Sequence, residues 1–420
     1  MKDASINRLT ALGVYTVAIC YFFYTIVQLS IFNALSPHLL RDFDLSGTGL
    51  GLLSSLYLYT LVIILLPTGT AIDRYLTRWP AIFSLSLLTL GSFTFALHPS
   101  ISTAVIYRIA GGVGNAFAFV CAMRVCNYWF PEKRALATSL AVSFALLGGM
   151  LTGAPLTHFI EGSEWIQAMM YNSVAGLALL VLLLFFLKNH EDEQTEKTPI
   201  SFSNMKTVLI NFQNSLCGFF TGCLNTSVYV LAALWGNLYL VQRFGLSTVE
   251  ATSITSMIFL GTIIGSPLFG MLSDLMKSRK KPMIIGAILS IITLAVIIEL
   301  PSLNYYTILS LFILLGITTS SQVISYPTIA ESNPMNLIST ATACAAILIN
   351  LVAAIVQVLF GWILTWQWSG DYHNGVPQYA HANWNWGMLT ILIVFILGLL
   401  SSFMVRETHC QSLPQDPKLT

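Results

Sequence analysis

The sequence carries little charge for its length. Only 9% of its 420 residues are Asp, Glu, Lys or Arg, whereas soluble domains carry about 25%. Hydrophobic residues make up 55% of the chain, and its mean hydropathy is +0.75. A water-soluble protein of this size could not bury so much apolar surface, so the composition predicts an integral membrane protein whose solvent is the lipid bilayer. The net charge of +1, with no basic cluster of interleaved aromatic residues, gives no reason to expect a nucleic-acid partner.

The sequence also lacks the signatures of several kinds of chemistry. It has no glycine-rich phosphate loop of the Walker type, which argues against an ATP-driven pump. Its apolar segments contain no cluster of His, Cys and carboxylate side chains at metal-ligand spacing, and no nucleophile with a nearby base. The seven cysteines lie in apolar segments or in the C-terminal tail, so we expect free thiols. We therefore expect no enzyme activity, no cofactor and no metal site.

What the chain has in abundance is apolar segments of membrane-crossing length. Twelve of them predict an all-α integral membrane protein, and the first lacks a signal-peptide cleavage site, so we expect it to remain as a span. The predicted spans lie near residues 11–33, 47–72, 79–97, 101–128, 135–160, 166–187, 214–241, 248–272, 282–300, 305–329, 336–365 and 384–405.

The longest internal polar stretch divides these spans into two sets of six. It predicts a cytoplasmic linker over residues 188–205. The domains would then be an N-terminal six-helix bundle (1–187), this linker, a C-terminal six-helix bundle (206–408) and a cytoplasmic tail (409–420). Residues 205–212 are predicted to form a short interfacial helix before the seventh span.

Lys and Arg are distributed unevenly between the two sides. With the N-terminus inside, fifteen of them fall in cytoplasmic segments and only Arg41 and Arg243 fall outside. Both termini are therefore predicted to be cytoplasmic. The outer loop after the eleventh span is rich in Trp and Tyr, which is typical of an interfacial aromatic belt. Short outer loops without an N-x-S/T site fit a bacterial inner membrane.

One charged motif occurs twice, each time in a loop between two apolar segments. The first copy reads Gly69-x-x-x-Asp73-Arg74-x-x-x-Arg78, and the second reads Gly270-x-x-x-Asp274 followed by Arg279. A motif that recurs after about 200 residues in so apolar a chain indicates two copies of one membrane unit.

These motifs, in a six-plus-six arrangement, resemble the major facilitator superfamily. Arg108-x-x-Gly111-Gly112-x-Gly114 resembles that family's motif in the outer half of the fourth span, with Gly111 in place of the usual Gln. Gly149-x-x-x-Gly153-Ala154-Pro155 resembles part of its antiporter motif. Residues 127–140 are similar to a loop signature of the organic-anion, nitrate and dipeptide permease branches. The resemblance covers nearly the whole chain and implies a transporter that works by alternating access.

The repeated loops are expected to form a cytoplasmic gate. An Asp there cannot face lipid and must pair with a cation or a helix N-terminus, and Arg side chains can bridge to the other bundle. The alternative is that these charges only anchor a loop and set the topology. The predicted gate residues are Gly69, Asp73, Arg74, Arg78, Arg134, Gly270, Asp274, Arg279 and Lys280.

Two arginines fall within the fourth span, and no Asp or Glu falls deep within any span. A guanidinium in a bilayer is a functional candidate by default, although Arg108 could instead hydrogen-bond backbone carbonyls. Asn115 lies on the same helical face as Arg108. Arg124 could bind a substrate carboxylate or pair with Asp73 at the gate. Sixteen residues separate the two arginines, about 160° of rotation and about 24 Å of rise, so they do not easily face one cavity.

Polar residues repeat at helical spacing on several other spans. They could line a water-filled cavity where the superfamily commonly places its binding site, or they could form hydrogen bonds between helices. Together with Arg108, Asn115 and Arg124, the candidate substrate-binding residues are Tyr21, Tyr24, Gln28, Asn225, Tyr229, Gln322, Tyr326, Asn350 and Gln357.

The lone basic residues of the fourth span favour a small anionic or zwitterionic solute such as a carboxylate, an amino acid or a small peptide. We expect a monomeric transporter with a small-molecule substrate. Coupling to an ion, facilitated transport and exchange all stay open, because no acidic residue lies deep within a span to carry a proton. The alternatives are an efflux permease for a drug or siderophore, and a membrane receptor that binds a solute without moving it.

Overall fold

The structure, a computed structural model, describes residues 2–75, 77–161, 164–189, 208, 211–299, 304–334, 337–366 and 368–411. Within these ranges it describes only the backbone of residues 2–7, 9, 66, 69, 70, 73, 74, 135, 161 and 339. Most of the predicted linker and interfacial helix, and most of the C-terminal tail, lie outside the described residues.

Among the described residues, twelve helical segments are long and apolar enough to cross a membrane. They confirm the predicted all-α membrane fold and are numbered here as spans 1 to 12. The helices are Lys2–Asp42 (span 1), Gly47–Tyr75 (2), Arg78–Leu97 (3), Ile101–Trp129 (4), Arg134–Leu151 with Ala154–Glu161 (5), Trp165–Phe186 (6), Phe212–Thr226 with Ser227–Trp235 and Gly236–Phe244 (7), Thr248–Leu275 (8), Lys280–Glu299 (9), Tyr305–Thr319 with Ser320–Ile324 and Ser325–Glu331 (10), Ile338–Trp366 (11) and His381–Met404 (12). A short 3₁₀ helix, Pro131–Lys133, precedes span 5. Two strands, Tyr372–His373 and Val376–Pro377, pair antiparallel between spans 11 and 12.

Span 1 is longer than the sequence predicted. The prediction ended it near residue 33, but the helix continues to Asp42 with Pro37 inside it, so Arg41 belongs to the helix. The extension is held because Leu35 and Leu39 remain fully buried in it. The helix ends just before Asp44, whose φ of 48° is left-handed.

The two ends of the bundle differ in character. We call the end that carries the 2–3, 4–5 and 8–9 loops the basic end, and the opposite end, with the Trp- and Tyr-rich loop between spans 11 and 12, the aromatic end. All four hydrogen bonds that join spans 1–6 to spans 7–12 among the described residues lie towards the aromatic end. The two halves are therefore joined at that end.

Glycine residues let the backbones of the two halves pack closely at the aromatic end. On span 2, a Cβ added at Gly51 would lie 2.8 Å from the carbonyl oxygen of Gln357. A Cβ added at Gly361 of span 11 would lie 2.3 Å from the carbonyl oxygen of Gly47. No L side chain fits at either distance, so this seam between spans 2 and 11 depends on glycine.

A second seam joins spans 5 and 8. A Cβ at Gly149 would lie 2.4 Å from the ring of Phe259, and one at Gly153 would lie 2.6 Å from Ser256 Cβ. The Gly149-x-x-x-Gly153 pattern noted in the sequence therefore lies at the contact between the two halves. Gly47 and Gly51 have the same spacing, so each seam has one pair of glycines four residues apart.

Asn33 lies between the two seams and joins span 1 to the other half. Its Oδ1 accepts a hydrogen bond from the backbone amide of Asn237 at 3.0 Å, and its Nδ2 donates to Thr255 Oγ1 at 2.9 Å. Asn237 Nδ2 in turn donates to the carbonyl of Asn33 at 3.0 Å. The amide of Asn237 lies just beyond the π-helical stretch Ser227–Trp235. Asn33 thus provides an acceptor where the helix changes its hydrogen-bond register.

Candidate functional site

Arg108 is buried among neutral groups of spans 1, 2 and 4. Its side chain is 1% exposed. Its Nη1 donates to the carbonyl of Gln28 at 2.8 Å, and its Nη2 donates to the carbonyl of Ser54 at 2.9 Å. The guanidinium carbon lies 4.2 Å from the ring centre of Phe32 and 4.8 Å from that of Tyr57. No carboxylate pairs with it among the described residues, so its positive charge is stabilised by carbonyl dipoles, the Ser54 hydroxyl at 3.3 Å and aromatic faces.

The predicted stripe on span 1 faces the interior of its own bundle. Tyr21 donates to the carbonyl of Gly114 at 2.8 Å and contacts Ser84 Oγ at 2.8 Å. Tyr24 donates to the carbonyl of Asn172 at 3.0 Å. Their positions at i and i+3 do share a face, but that face packs on spans 3, 4 and 6. The expectation that they line a cavity between the halves is therefore corrected: they hold the N-terminal bundle together.

Gln28, on the same stripe, connects the inside of the bundle to Arg108. Its Nε2 donates to Asn172 Oδ1 at 2.9 Å, and its Oε1 accepts from Tyr107 at 2.5 Å and from Asn172 at 3.0 Å. Because its carbonyl is a ligand of Arg108, Gln28 positions the guanidinium and does not lie on an open wall.

The other polar residues of span 4 lie in different surroundings. Asn115 is buried, and its Oδ1 accepts from Thr25 Oγ1 of span 1 at 3.2 Å. Arg124 is half-buried towards the basic end, with its guanidinium carbon 5.8 Å from the ring centre of Tyr128. The two arginines lie on one unbroken helix, so their predicted separation stands. A pair between Arg124 and Asp73 stays a prediction, because the Asp73 side chain lies outside the described residues.

The C-terminal half carries a group of uncharged polar side chains on spans 7 and 10, which we call the polar wall. Gln322 Nε2 of span 10 donates to Asn225 Oδ1 of span 7 at 2.7 Å. Tyr229 follows Asn225 by four residues on span 7, and Tyr326 follows Gln322 by four residues on span 10, where it is 39% exposed. No hydrogen bond of the described residues uses either hydroxyl. The structure therefore brings these four predicted residues together.

Two further predicted residues lie on span 11. Asn350 Nδ2 donates to the carbonyl of Ala346 at 2.8 Å, and Gln357 Nε2 donates to the carbonyl of Tyr229 at 2.6 Å. They are 7% and 0% exposed. Gln357 lies beneath the seam between spans 2 and 11, where its backbone contacts Gly51.

The helices that carry this wall are interrupted beside it. Span 7 is π-helical over Ser227–Trp235, and span 10 is a 3₁₀ helix over Ser320–Ile324. Spans 1 and 4 are single α-helices. Interrupted helices at mid-membrane are typical of binding sites, because their backbone groups are free to bond to other partners.

At the basic end, the second copy of the charged motif forms a compact ionic network. Arg279 Nη2 contacts Glu331 Oε1 at 2.7 Å, and its Nη1 contacts Asp274 Oδ1 at 2.8 Å. Burial lowers the pKa of Arg279, but the hydrogen bonds to Glu331 and Asp274 outweigh it and raise the pKa above its usual value. All three residues belong to the C-terminal half, so the network does not bridge the two halves in this conformation.

Glu407, just beyond span 12, caps the start of span 9. Its carboxylate accepts from the backbone amides of Arg279 at 2.7 Å and Lys280 at 3.1 Å, and from the hydroxyl of Ser278. Burial raises the pKa of Glu407, but these bonds and one from the His409 amide lower it to about 2. Lys280, predicted at the gate, turns its Nζ to the carbonyl of Phe403 at 2.6 Å in the same half.

The first copy of the motif is described only in part. Arg78 Nη2 donates to the carbonyl of Leu184 at 2.8 Å, and its amide donates to Asn189 Oδ1 at 2.9 Å. Both partners lie in the N-terminal half, so the expected bridge from Arg78 to the other bundle is absent among the described residues. Arg134 is exposed. Only the backbone of Gly69, Asp73 and Arg74 is described.

Gly270, the glycine of the second motif copy, lies in open surroundings. A Cβ added there would have no atom within 4 Å, so close packing does not require glycine at this position.

Sequence reasoning missed Glu331, Glu407 and Asn33. The two glutamates were grouped with acids of loops and span ends, although Glu331 ends span 10 and is only 8% exposed. A lone Asn amid the apolar residues of span 1 was the available signal for Asn33.

Comparison with known families gives one match that spans almost the whole chain. A family model described as "Major Facilitator Superfamily" matches residues 17–356 and 215–417.

Several curated proteins are similar to this chain. The "Probable sulfoacetate transporter SauU" of Cupriavidus necator is 23% identical over 66% of this chain and 68% of its own length. The "Hexuronate transporter" of Bacillus subtilis is 26% identical over 58% of this chain and 60% of its own. The "Multidrug resistance protein Stp" of Mycobacterium tuberculosis is 26% identical over 41% of this chain and 32% of its own. The latter two matches span less than two thirds of those relatives. All three are described as transporters or resistance proteins and none as an enzyme, in agreement with the sequence prediction.

Solved structures share the fold. A bacterial homologue of the human lysosomal transporter Spinster, in an inward-facing and unoccupied conformation, has a TM-score of 0.76 at 13% identity. The alignment covers 94% of this chain and 97% of that one. At this identity the likeness shows the fold alone.

Proposed function

Because the chain belongs to the Major Facilitator Superfamily, we propose that it carries a small organic anion across a membrane by alternating access. Spans 1–6 and 7–12 would rock about a substrate held between them. The basic end faces the cytoplasm in this proposal, as the distribution of Lys and Arg favours. The joined aromatic end then makes the described conformation inward-facing. The transporter works as a monomer, with or without a coupling ion.

The observation that carries the proposal is the buried charge of Arg108. Its hydrogen-bond partners, the carbonyls of Gln28 and Ser54, are neutral. Charges interact strongly over distance where few dipoles screen them, so an unbalanced guanidinium makes the region between the two halves more favourable for anions than for cations. The half-buried Arg124 adds positive charge on the path to the basic end.

The names of two relatives support the same substrate class. Sulfoacetate and hexuronates are both small organic anions, and transport of such a solute by this chain is our proposal from that similarity.

The test is anion uptake by the purified protein in proteoliposomes. Labelled sulfoacetate and labelled glucuronate would be offered separately, with uptake driven by counterflow so that no coupling ion need be known. We expect saturable uptake of at least one anion and none of a neutral sugar. Arg108→Gln should reduce the uptake strongly, whereas Arg8→Gln, which removes an exposed arginine, should leave it unchanged.

Arg108→Lys separates charge from shape, because it keeps the cation and loses the flat group between two rings. Intermediate uptake would fit an electrostatic role. Wild-type uptake by a well-folded Arg108→Gln protein would refute the proposal.

A second candidate function is drug efflux. It is favoured by the similarity to the multidrug resistance protein Stp and by the Gly149-x-x-x-Gly153 pattern. Counterflow in inverted vesicles with cationic dyes distinguishes the two functions. Accumulation of dye, and no competition by organic anions, would favour efflux.

A further inference from the structure

Two buried amide oxygens on span 11 have no hydrogen-bond donor among the described residues. They are Asn350 Oδ1 and Gln357 Oε1. Each amide nitrogen already donates to a backbone carbonyl, of Ala346 and Tyr229 respectively. A carbonyl can only accept, so the nitrogen and oxygen of these two amides cannot be exchanged. Both positions therefore present acceptors.

Leaving such acceptors unbonded is costly. A buried polar atom that loses its hydrogen bond costs about 1–3 kcal/mol, and native proteins keep few of them. Gln322 Oε1, on the neighbouring span 10, is a third buried oxygen without a described donor. These three oxygens, on spans 10 and 11, are available to accept hydrogen bonds from a bound solute.

The acceptors lie where a substrate between the halves would pass. Asn350 and Gln357 are seven residues apart, on one face of span 11 and about 10 Å from each other along it. The backbone of Gln357 packs on Gly51 of span 2, while its side chain reaches the carbonyl of Tyr229 on span 7. Ser54, three residues beyond Gly51 on span 2, accepts a hydrogen bond from Arg108 at 2.9 Å. The acceptors of one half and the cation of the other therefore border the same region.

The two amide oxygens of span 11 lie at different depths relative to the contact between spans 2 and 11. Gln357 lies beneath the contact between spans 2 and 11 and is 0% exposed in this conformation. Asn350 lies two turns nearer the basic end. A substrate that passes from one end to the other would thus meet an acceptor at both depths.

The kind of hydrogen-bond donor that can reach these oxygens limits the chemical class of the substrate. Hydroxyl and ammonium groups both donate, but an ammonium group inside a membrane needs an anionic partner. No Asp or Glu of the described residues lies in this wall: Glu331, at the end of span 10, is paired with Arg279. Hydroxyl groups satisfy amide oxygens without adding charge.

Resting on the proposed function, we infer that the transported anion is a polyhydroxylated carboxylate. Its carboxylate is drawn to the cationic N-terminal half, and its hydroxyl groups donate to Asn350, Gln357 and Gln322 of the C-terminal half. This excludes amino acids and small peptides as the main substrates. It also makes hydroxyl-free anions, such as sulfoacetate, poor ones.

The test is competition for uptake of labelled gluconate, galactonate or glucuronate into proteoliposomes. The unlabelled competitors are the same hydroxylated acid, hexanoate and sulfoacetate (charge without hydroxyl groups), and sorbitol (hydroxyl groups without charge). We expect at least one hydroxylated acid to be transported, and hexanoate, sulfoacetate and sorbitol each to compete at least about tenfold more weakly, because unpaired site groups penalise an analogue that lacks their partners.

Variants assign the effect to the amide oxygens. Asn350→Leu and Gln357→Leu should each weaken binding of the hydroxylated acid about tenfold and leave that of hexanoate unchanged. Gln167→Leu, an exposed glutamine on span 6, is the matched control and should change neither. Asn350→Ser keeps an acceptor and should retain more activity than Asn350→Leu. Melting temperatures of the empty proteins show whether each variant is folded.

The outcomes separate this inference from the proposed function. If hexanoate or sulfoacetate is transported as well as every hydroxylated acid, the inference is wrong and anion transport stands. If no anion is transported, both are wrong. Equal losses for the hydroxylated acid and hexanoate in a folded Asn350→Leu protein would also overturn the inference.

Discussion

The two halves share one fold but divide the chemistry of the central region between them. Spans 1 and 4 of the N-terminal half are unbroken helices that hold a charged group, Arg108, among neutral ones. Spans 7 and 10 of the C-terminal half are interrupted and carry uncharged amides and phenols. The two halves therefore have the same fold but different roles at the centre: one half supplies charge, and the other supplies hydrogen bonds.

A second contrast lies at the basic end. The backbone amides of Arg78 and Arg279 begin spans 3 and 9, and both are capped by a side chain that follows the last span of their own half. The cap is the neutral Asn189 in the N-terminal half and the ionised Glu407 in the C-terminal half. The same local contact is therefore insensitive to pH in one half and sensitive in the other.

The contrast between the charged and the uncharged half can be tested by removing one polar side chain from each half. We expect Arg108→Gln to lower the uptake of a transported anion by about 100-fold, or ~2.7 kcal/mol, because the charge acts on every anion. Gln322→Leu should lower uptake by about tenfold, because it removes one acceptor. Initial uptake rates in proteoliposomes at equal protein content measure both. Equal losses would show that the halves do not divide these roles.

The seams should behave alike, because each joins one span from each half. Gly51→Ala and Gly153→Ala add a Cβ 2.8 Å and 2.6 Å from the facing span. Overpacking costs about 1–3 kcal/mol, so both should favour opening of the aromatic end and slow transport about tenfold or more. Thiol labelling of a cysteine placed at Thr48 and at Thr252 should increase in the respective variants.

Gly270→Ala is the control for both seams, since the space around Gly270 is open. A large effect in only one seam variant would show that one pair of spans alone forms the closure.

The two copies of the charged motif should differ in importance. We expect Asp73→Asn to impair transport more than Asp274→Asn, by a few-fold. After Asp274 is neutralised, Arg279 keeps its contact with Glu331 at 2.7 Å, and the exposed Asp274 carboxylate contributes only ~0–1 kcal/mol. Uptake rates of the two variants, measured at matched expression levels, test this difference. Equal losses would remove the case for a main gate in the N-terminal half.

The smallest expected effect is at the two caps. The pKa of Glu407 is about 2, below the ordinary value of about 4.3. The carboxylate therefore adds stability above about pH 4.3, and this contribution is lost as the pH falls towards 2. Between pH 6 and pH 3 the melting temperature of the wild type should fall more than that of Glu407→Gln.

Asn189→Ala should lower stability by about 1 kcal/mol at every pH, since its amide does not titrate. A pH-dependent change in that variant, or none in Glu407→Gln, would contradict the contrast between the caps.

Most of the fold could be predicted from the sequence, because span length and charge placement are dictated by the bilayer. Side-chain periodicity was less informative. It identified that Tyr21 and Tyr24 share a face, but not that the face points into their own bundle, because the direction depends on which neighbour packs there. Asn225 and Gln322 were predicted as separate candidates on two spans, and only the structure shows that their side chains bond to each other. The interruptions of spans 7 and 10 have no signal in helix propensity, and Glu407 acts through the backbone of a distant span.

The glycine seams have a consequence for genetics. Any missense change in the codons of Gly47, Gly51, Gly149, Gly153 or Gly361 adds at least a Cβ to a contact that has no room for one. A selection for alleles trapped with the aromatic end open should therefore return repeatedly to these few codons. Second-site suppressors should appear on the opposite side of the same seam. Phe259→Ala, which trims the ring facing Gly149, is the suppressor we expect for Gly149→Ala.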